Sequence, residues 1–233
     1  MLVKRNSIYQ SEMENDGVKY GFSSKVFGNI DFELGEERGG IRDFLGKMGV
    51  KRRDVTVMNQ VHSDEVREVL GKDKGRVIKE CDGMFTKEVG LYLAVRCADC
   101  LPVLFYDEKK RVCGVVHVGR RGTYKKFLKK VIEAVCEKGI KVWELVFVFG
   151  PCICAKCYQV DERIACEFKK KFDVGIEGRN LDIGLINKNE ILKMGAKEGN
   201  ILEFEICTFE DEDFFSYRKG DEGEFVGLIG LTS

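Results

Sequence analysis

The chain has 233 residues, 39 basic against 39 acidic, is 44% hydrophobic and carries only two histidines. That length can bury a full core, and a single domain over residues 1–233 is expected. The balanced charge gives no net field to draw nucleic acid or an anionic membrane, and no apolar run reaches the length of a bilayer span, so neither partner is expected.

Met1-Leu2-Val3-Lys4-Arg5 has no apolar stretch behind it, so no signal peptide and a cytoplasmic location are expected, with thiols kept reduced. Lys and Glu are abundant while Gln is confined to Gln10, Gln60 and Gln159, which suggests a heat-adapted source.

Hydrophobic spacing predicts a first helix over Ile41–Met48 and a strand over Val55–Val61. Strands follow at Leu91–Arg96, Val103–Tyr106 and Val112–His117, rich in Val, Leu and Phe. The next helix, Thr123–Lys138, has an apolar stripe of Phe127, Leu128, Val131, Ile132 and Val135. Its other face carries Lys125, Lys126, Lys129 and Lys130, which read as a solvated face in a chain of zero net charge. A strand over Glu144–Phe149, helices over Asp161–Lys171 and Asn187–Met194, and strands over Phe204–Cys207 and Phe225–Leu231 complete the pattern. Only Asp107–Arg111 separates Val103–Tyr106 from Val112–His117; so short a link requires an antiparallel hairpin. Mixed sheets with helices outside follow, an α+β fold.

Both histidines close apolar runs: His62 ends the Val55–Val61 strand, and His117 ends the next hairpin. Cys100 follows a third run in Arg96-Cys97-Ala98-Asp99-Cys100. Two imidazoles and a thiolate make a three-ligand zinc site with an open position, the arrangement of catalytic zinc. Most of the ten cysteines read as small buried hydrophobes. Cys97/Cys100 and Cys154/Cys157 have C-x-x-C spacing, but the gap between the pairs is too long for a zinc ribbon.

Gly119-Arg120-Arg121-Gly122 lies between His117 and a helix. A glycine-bounded turn opening a helix offers free N–H groups, so with its two arginines the segment reads as an anion site, or else as a tight strand-to-helix turn with exposed arginines. Asp99 is a candidate to orient a ligand, or to cap the turn at Pro102. Phe214-Phe215-Ser216-Tyr217-Arg218 offers aromatic rings and a cation for a purine and its ribose or phosphate, or else is a packed loop.

An ordered set of motifs carries a resemblance: Asn59-Gln60-Val61-His62-Ser63, Cys81-Asp82-Gly83, Ala98-Asp99-Cys100-Leu101-Pro102, His117-Val118-Gly119-Arg120-Arg121-Gly122, Gly150-Pro151-Cys152-Ile153, Cys157-Tyr158-Gln159-Val160 and Phe214-Phe215-Ser216-Tyr217-Arg218. In this order they resemble the laccase-domain, or polyphenol oxidase, family over nearly the whole chain. The resemblance implies a layered sandwich of the α+β class. It implies a zinc-dependent purine nucleoside phosphorylase with adenosine deaminase side activity, acting on purine nucleosides and phosphate; a monomer is expected. It implies His62, Cys100 and His117 as metal ligands and catalytic centre, with Arg42, Gln60, Arg121 and Arg218 binding substrate. Three positions depart from the family pattern: Arg120 stands for tryptophan, Glu222-Gly223-Glu224 stands where the family commonly has an arginine, and Ile41 replaces an asparagine.

Two imidazoles cannot furnish a multicopper centre, which needs a thiolate–imidazole copper and a separate imidazole-rich cluster. Single-copper substitution at a zinc site stays open, because copper binds N/S donors more tightly. The same residues allow a cysteine hydrolase, with Cys100 as nucleophile and a histidine as base. They also allow a non-catalytic zinc-binding module, which requires a fourth protein ligand.

Overall fold

Side-chain alternation along the strands builds two stacked sheets with helices on both outer faces. The computed structural model describes residues 2–11, 17–30, 39–107, 109 and 111–232. Met1 at the chain start, and Glu108 and Lys110 of the hairpin turn, lie outside the described residues.

The first sheet runs in the order Leu2–Arg5, Ile8–Ser11, Val18–Ser23, Phe225–Leu231, Tyr92–Cys97, Val55–Met58 and Val77–Ile78. The second runs Ile201–Glu203, Val146–Phe149, Leu101–Asp107, Val112–Val118, Gly83–Thr86 and Val66–Glu68. Both sheets mix parallel and antiparallel pairs. The Leu101–Asp107 and Val112–Val118 strands form the expected antiparallel hairpin, with Val115 opposite Leu104.

Leu93, Val95 and Ile229 of one sheet meet Leu104, Cys113, Val115 and Val148 of the other in the inter-sheet core. Alternate residues point outward. Val103, Phe105 and Val116 pack under the helix Phe127–Cys136 through Phe127, Val131 and Val135. Val55, Val57, Ala94 and Val226 pack under the helix Gly39–Lys47 through Ile41, Phe44 and Leu45. Each fully buried Leu or Phe contributes about 1.5–3 kcal/mol by leaving water. Four layers result, helix–sheet–sheet–helix, as the α+β reading expects. Among the described residues no helix is long and apolar enough to cross a membrane.

Some boundaries differ from the expected ones. The Val55 strand stops at Met58, and Asn59–Val61 run on as an irregular loop. The predicted strand at Phe204–Cys207 instead ends at Glu203; Cys207 makes only an isolated bridge to Cys152. The predicted helix Thr123–Lys138 is two helices, Arg120–Tyr124 and Phe127–Cys136. Lys126 between them is left-handed at φ 57°, which costs roughly 1 kcal/mol or more. The break lets the longer helix pack on the sheet while the shorter starts beside His117. The helix predicted from Asp161 starts at Glu162 with Asp161 as its N-cap residue. The last helix begins at Ile183, earlier than expected, because the Asp182 side chain accepts the Leu185 N–H and caps it.

Candidate metal centre

The three ligand residues sit where the two sheets part. His117 ends the Val112–Val118 strand in phase with Cys113 and Val115, so alternation turns it to the inter-sheet side. Cys100 lies in the short crossing from Tyr92–Cys97 in one sheet to Leu101–Asp107 in the other. It shares the phase of Leu104 and Tyr106 and packs against the inter-sheet core. His62 comes from the loop after Val55–Met58.

The ligand atoms of His62, Cys100 and His117 lie within 4.8 Å of one another. Cys100 Sγ is 3.8 Å from His62 Nε2, and the imidazole rings meet edge to face with centroids 4.8 Å apart. Sulfur and nitrogen ligands about 2.0–2.3 Å from a tetrahedral ion stand at comparable separations, so this donor set fits a zinc-class ion. His117 is buried, whereas His62 is exposed and leaves an open side.

Asp82 fixes the arrangement. Its Oδ1 is 2.8 Å from His117 Nδ1. The same carboxylate accepts the backbone N–H groups of Val61, His62 and Ser63 at 3.3, 3.1 and 2.6 Å, and the Ser63 hydroxyl at 2.7 Å. Those bonds hold His62 in the left-handed region, at φ 56°. Burial disfavours the charged carboxylate, but the bonds from His117 and Ser63 outweigh it and keep Asp82 below the ordinary carboxylate range. An ionised Asp82 only accepts, so Nδ1 carries a proton, and Nε2 is the nitrogen left to face Cys100.

Burial alone would push the Cys100 thiol up; hydrogen bonds and charge from His117 and His62 outweigh it and bring it to about 7. Burial likewise disfavours the His117 cation, but Asp82 and Cys100 hold it up to about 10. Gly119 leaves the space: a Cβ there would lie 2.8 Å from Cys100 Sγ and 3.1 Å from His62 Cδ2.

The site opens into a cleft of about 900 Å³, in the usual range for small-molecule sites. Gln60, Arg96, Arg120, Tyr158, Arg179 and Arg218 line it, with Tyr217 and Glu224 at its walls. Gln60 faces the cleft, but its amide is tied to the Arg96 backbone, donating to the carbonyl and accepting from the N–H at 2.8 Å each. Arg218 lies over the Tyr158 ring at 5.4 Å and donates to the Gln159 carbonyl at 3.0 Å. Arg121 does not line this cleft. It projects into a neighbouring depression with Tyr124 and Arg163, because the next position on a helix lies about 100° round from Arg120. Arg42, on the helix Gly39–Lys47, lines a depression with Leu45 and Arg53 and does not reach the cleft.

Asp99 does not reach an imidazole; its carboxylate accepts the Thr208 hydroxyl and the Arg218 N–H at 2.7 Å each, and so anchors the Arg218 loop. Phe214 and Phe215 are core residues, which leaves Tyr217, 83% exposed, as the free ring of that segment. The lysine-rich helix face is ion-paired, Lys125 and Lys130 to Asp64 and Lys126 to Glu190. The two C-x-x-C pairs do not combine; Cys154 and Cys157 gather with Cys207 and Glu210 instead. The chemistry missed in the sequence is chiefly Asp82, whose signal was the Cys81-Asp82-Gly83 motif, together with Arg96 and Arg120.

A layered α+β fold with two imidazoles and a thiolate at the sheet seam defines a protein of the laccase-domain class with a candidate metal site. The family described as multi-copper polyphenol oxidoreductase laccase matches residues 29–232, and the chain belongs to that family. Purine nucleoside phosphorylase Cj1217c of Campylobacter jejuni is 33% identical over 177 residues, 75% of this chain and 76% of the relative. Adenosine deaminase RL5, from an unknown prokaryotic organism, is 28% identical, covering 74% of this chain and 72% of the relative. YlmD from Geobacillus stearothermophilus has the same fold: TM-score 0.89 at 22% identity, covering 99% of this chain and 98% of that one.

Proposed function

We propose that the protein is a zinc-dependent purine nucleoside phosphorylase with an adenosine deaminase side activity. The observation that carries the reading is the convergence of His62, Cys100 and His117 at the floor of a cleft walled by arginines and tyrosines. The names of the relatives supply the substrate class.

In phosphorolysis a phosphate oxygen bonds to ribose C1′ as the bond from C1′ to the purine nitrogen breaks, giving ribose 1-phosphate and free base. A zinc ion at the three ligands would supply Lewis acidity and an open position. Arg120 and Arg218 supply cations for the phosphate, and fork-shaped guanidinium groups suit its oxygens. Tyr158 and Tyr217 offer ring faces for the base. Asp82 holds the His117 tautomer and the His62 loop in one geometry. Arg96 pairs with Glu224 at 3.5 Å, placing a carboxylate at the wall near where the family pattern commonly has an arginine. Two histidines leave no ligand set for a multicopper centre.

One observation favours a second reading, a metal-free cysteine hydrolase: the Cys100 thiol lies 3.8 Å from His62 Nε2 and falls to about 7. One assay separates the two: release of hypoxanthine or adenine from inosine or adenosine, with and without phosphate, by zinc-loaded and chelated protein. Phosphate-dependent release that disappears on chelation and returns with zinc supports the phosphorylase. Activity that survives chelation supports the hydrolase, and absence of base release from any purine nucleoside overturns the phosphorylase.

A further inference from the structure

A second set of ligands lies apart from the three at the sheet seam. Cys154 and Cys157 flank a tight turn in which the N–H groups of Cys157 and Tyr158 donate to the Cys154 carbonyl at 3.1 and 3.0 Å. Cys207 faces that turn from a segment more than fifty residues on, held by Cys152 N–H to the Ile206 carbonyl at 3.3 Å and Thr208 N–H to the Cys152 carbonyl at 3.2 Å. After Cys207 the chain turns back, with the N–H groups of Glu210 and Asp211 donating to the Cys207 carbonyl at 3.2 and 2.9 Å. The Cys154, Cys157 and Cys207 sulfurs and a Glu210 carboxylate oxygen all fall within 4.8 Å of one another.

Ordinary packing does not account for this gathering. Cys81, Cys97 and Cys113 belong to the buried apolar clusters, and Cys100, Cys136 and Cys152 pack against them. Cys154, Cys157 and Cys207 belong to none of those clusters and are only partly buried. That separation admits a mononuclear site, since sulfurs bound at ~2.3 Å around a tetrahedral ion stand ~3.8 Å apart. The Cys154 N–H donates to Cys207 Sγ at 3.3 Å, a donor that favours a thiolate. Lys156, within the turn, holds one Glu210 oxygen at 3.0 Å. That contact orients the carboxylate, leaves its other oxygen for an ion and offsets the negative charge of the ligand set.

We propose that Cys154, Cys157, Cys207 and Glu210 form a second metal site, a closed four-ligand site for a divalent zinc-class cation. Four protein ligands leave no open position, so the site is structural. It ties together two segments that both wall the cleft. Ile153 and Tyr158 come from one, and Tyr217 and Arg218 follow from the other. The ion therefore holds the cleft's shape without touching what binds there.

The test is elemental analysis of the full chain purified under reducing conditions. The Cys100→Ser variant, deprived of a ligand at the seam, is expected to keep one equivalent of zinc, and adding Cys207→Ser removes it. Cobalt loaded into Cys100→Ser is expected to show strong thiolate-to-metal charge-transfer absorption, whose sulfur must then come from this second site. Glu210→Gln alters an exposed side chain and keeps the fold; it is expected to surrender this metal to a competing chelator at least tenfold more readily. Three results would overturn the site: a Cys100→Ser protein with no stoichiometric metal, bound cobalt without that absorption, or a disulfide among the three cysteines in protein alkylated at lysis. Unchanged retention in Glu210→Gln would overturn the four-ligand assignment.

Discussion

Asp82 and His117 form a carboxylate–imidazole pair of 2.8 Å at the seam of the two sheets, and the same carboxylate gathers the backbone of the His62 loop. One side chain thus sets the positions of two of the three candidate ligands. Asp82→Asn keeps the volume but removes the charge and part of the accepting capacity. Metal affinity is expected to fall about 10–100-fold. Competition with a chromogenic chelator measures it; an affinity within twofold of the parent protein would deny Asp82 this positioning role.

Gly119→Ala probes the space at the ligands. The new methyl would stand 2.8 Å from Cys100 Sγ and 3.4 Å from His62 Nε2. The sulfur or the imidazole must move, while the core strands keep their packing. Metal content is expected to drop below half an equivalent at the seam with far-ultraviolet dichroism unchanged, measured in a Cys207→Ser background so that only this site is counted.

Metal uptake should release protons. Below about pH 10 His117 carries a proton on the nitrogen that must bind metal, and below about pH 7 Cys100 carries one as well. Between these values apparent affinity should rise about tenfold per pH unit; below pH 7 the dependence should steepen towards two protons. Stability of the metal-free protein follows the same signs. The raised His117 value stabilises the fold at low pH, and that contribution is lost as pH rises through about 10. The lowered Cys100 value stabilises it at high pH and is lost as pH falls through about 7. Calorimetric titration with zinc in buffers of different ionisation enthalpy counts the protons; uptake with no proton release at pH 8 would contradict the assigned ionisation of His117.

Arg120→Ala and Arg121→Ala separate two neighbouring cations. Arg120 lines the cleft and also edges the next depression, whereas Arg121 lines only the depression. Loss of a charge-assisted contact costs about 1.5–3 kcal/mol, roughly tenfold or more in apparent affinity. Arg120→Ala is therefore expected to raise the KM for phosphate at least tenfold, and Arg121→Ala less than threefold. Steady-state kinetics at varied phosphate decides it, and the reverse ranking would move the phosphate to Arg121.

Much of the centre was legible because strand ends are easy to find. Apolar runs closing on His62 and His117, with Cys100 after a third, mark positions where a sheet delivers side chains to its edge. The seam itself was not legible. That Tyr92–Cys97 and Leu101–Asp107 belong to different sheets depends on pairings with Phe225–Leu231 and Val112–Val118, which local patterns do not encode. The resemblance points to Arg121, but a motif does not say how a helix is turned; the helix that starts at Arg120 places Arg120, not Arg121, in the cleft. Asp82 was hidden because a short motif shows no partner thirty-five residues away. Gly83–Thr86 carries little strand signal because it has few β-branched residues, and its place in the sheet comes from burial beside Val116 and Val66.

The crossing through Ala98–Cys100 makes the separation of the two sheets part of the coordination geometry. Metal–ligand distances tolerate deviations of only about 0.2 Å, so the three donors act as a calliper across the seam. Truncating Leu104 or Val95 deep in the interior would let the sheets settle closer together. The calliper would register that shift as weakened metal retention, although neither side chain belongs to the ligand set.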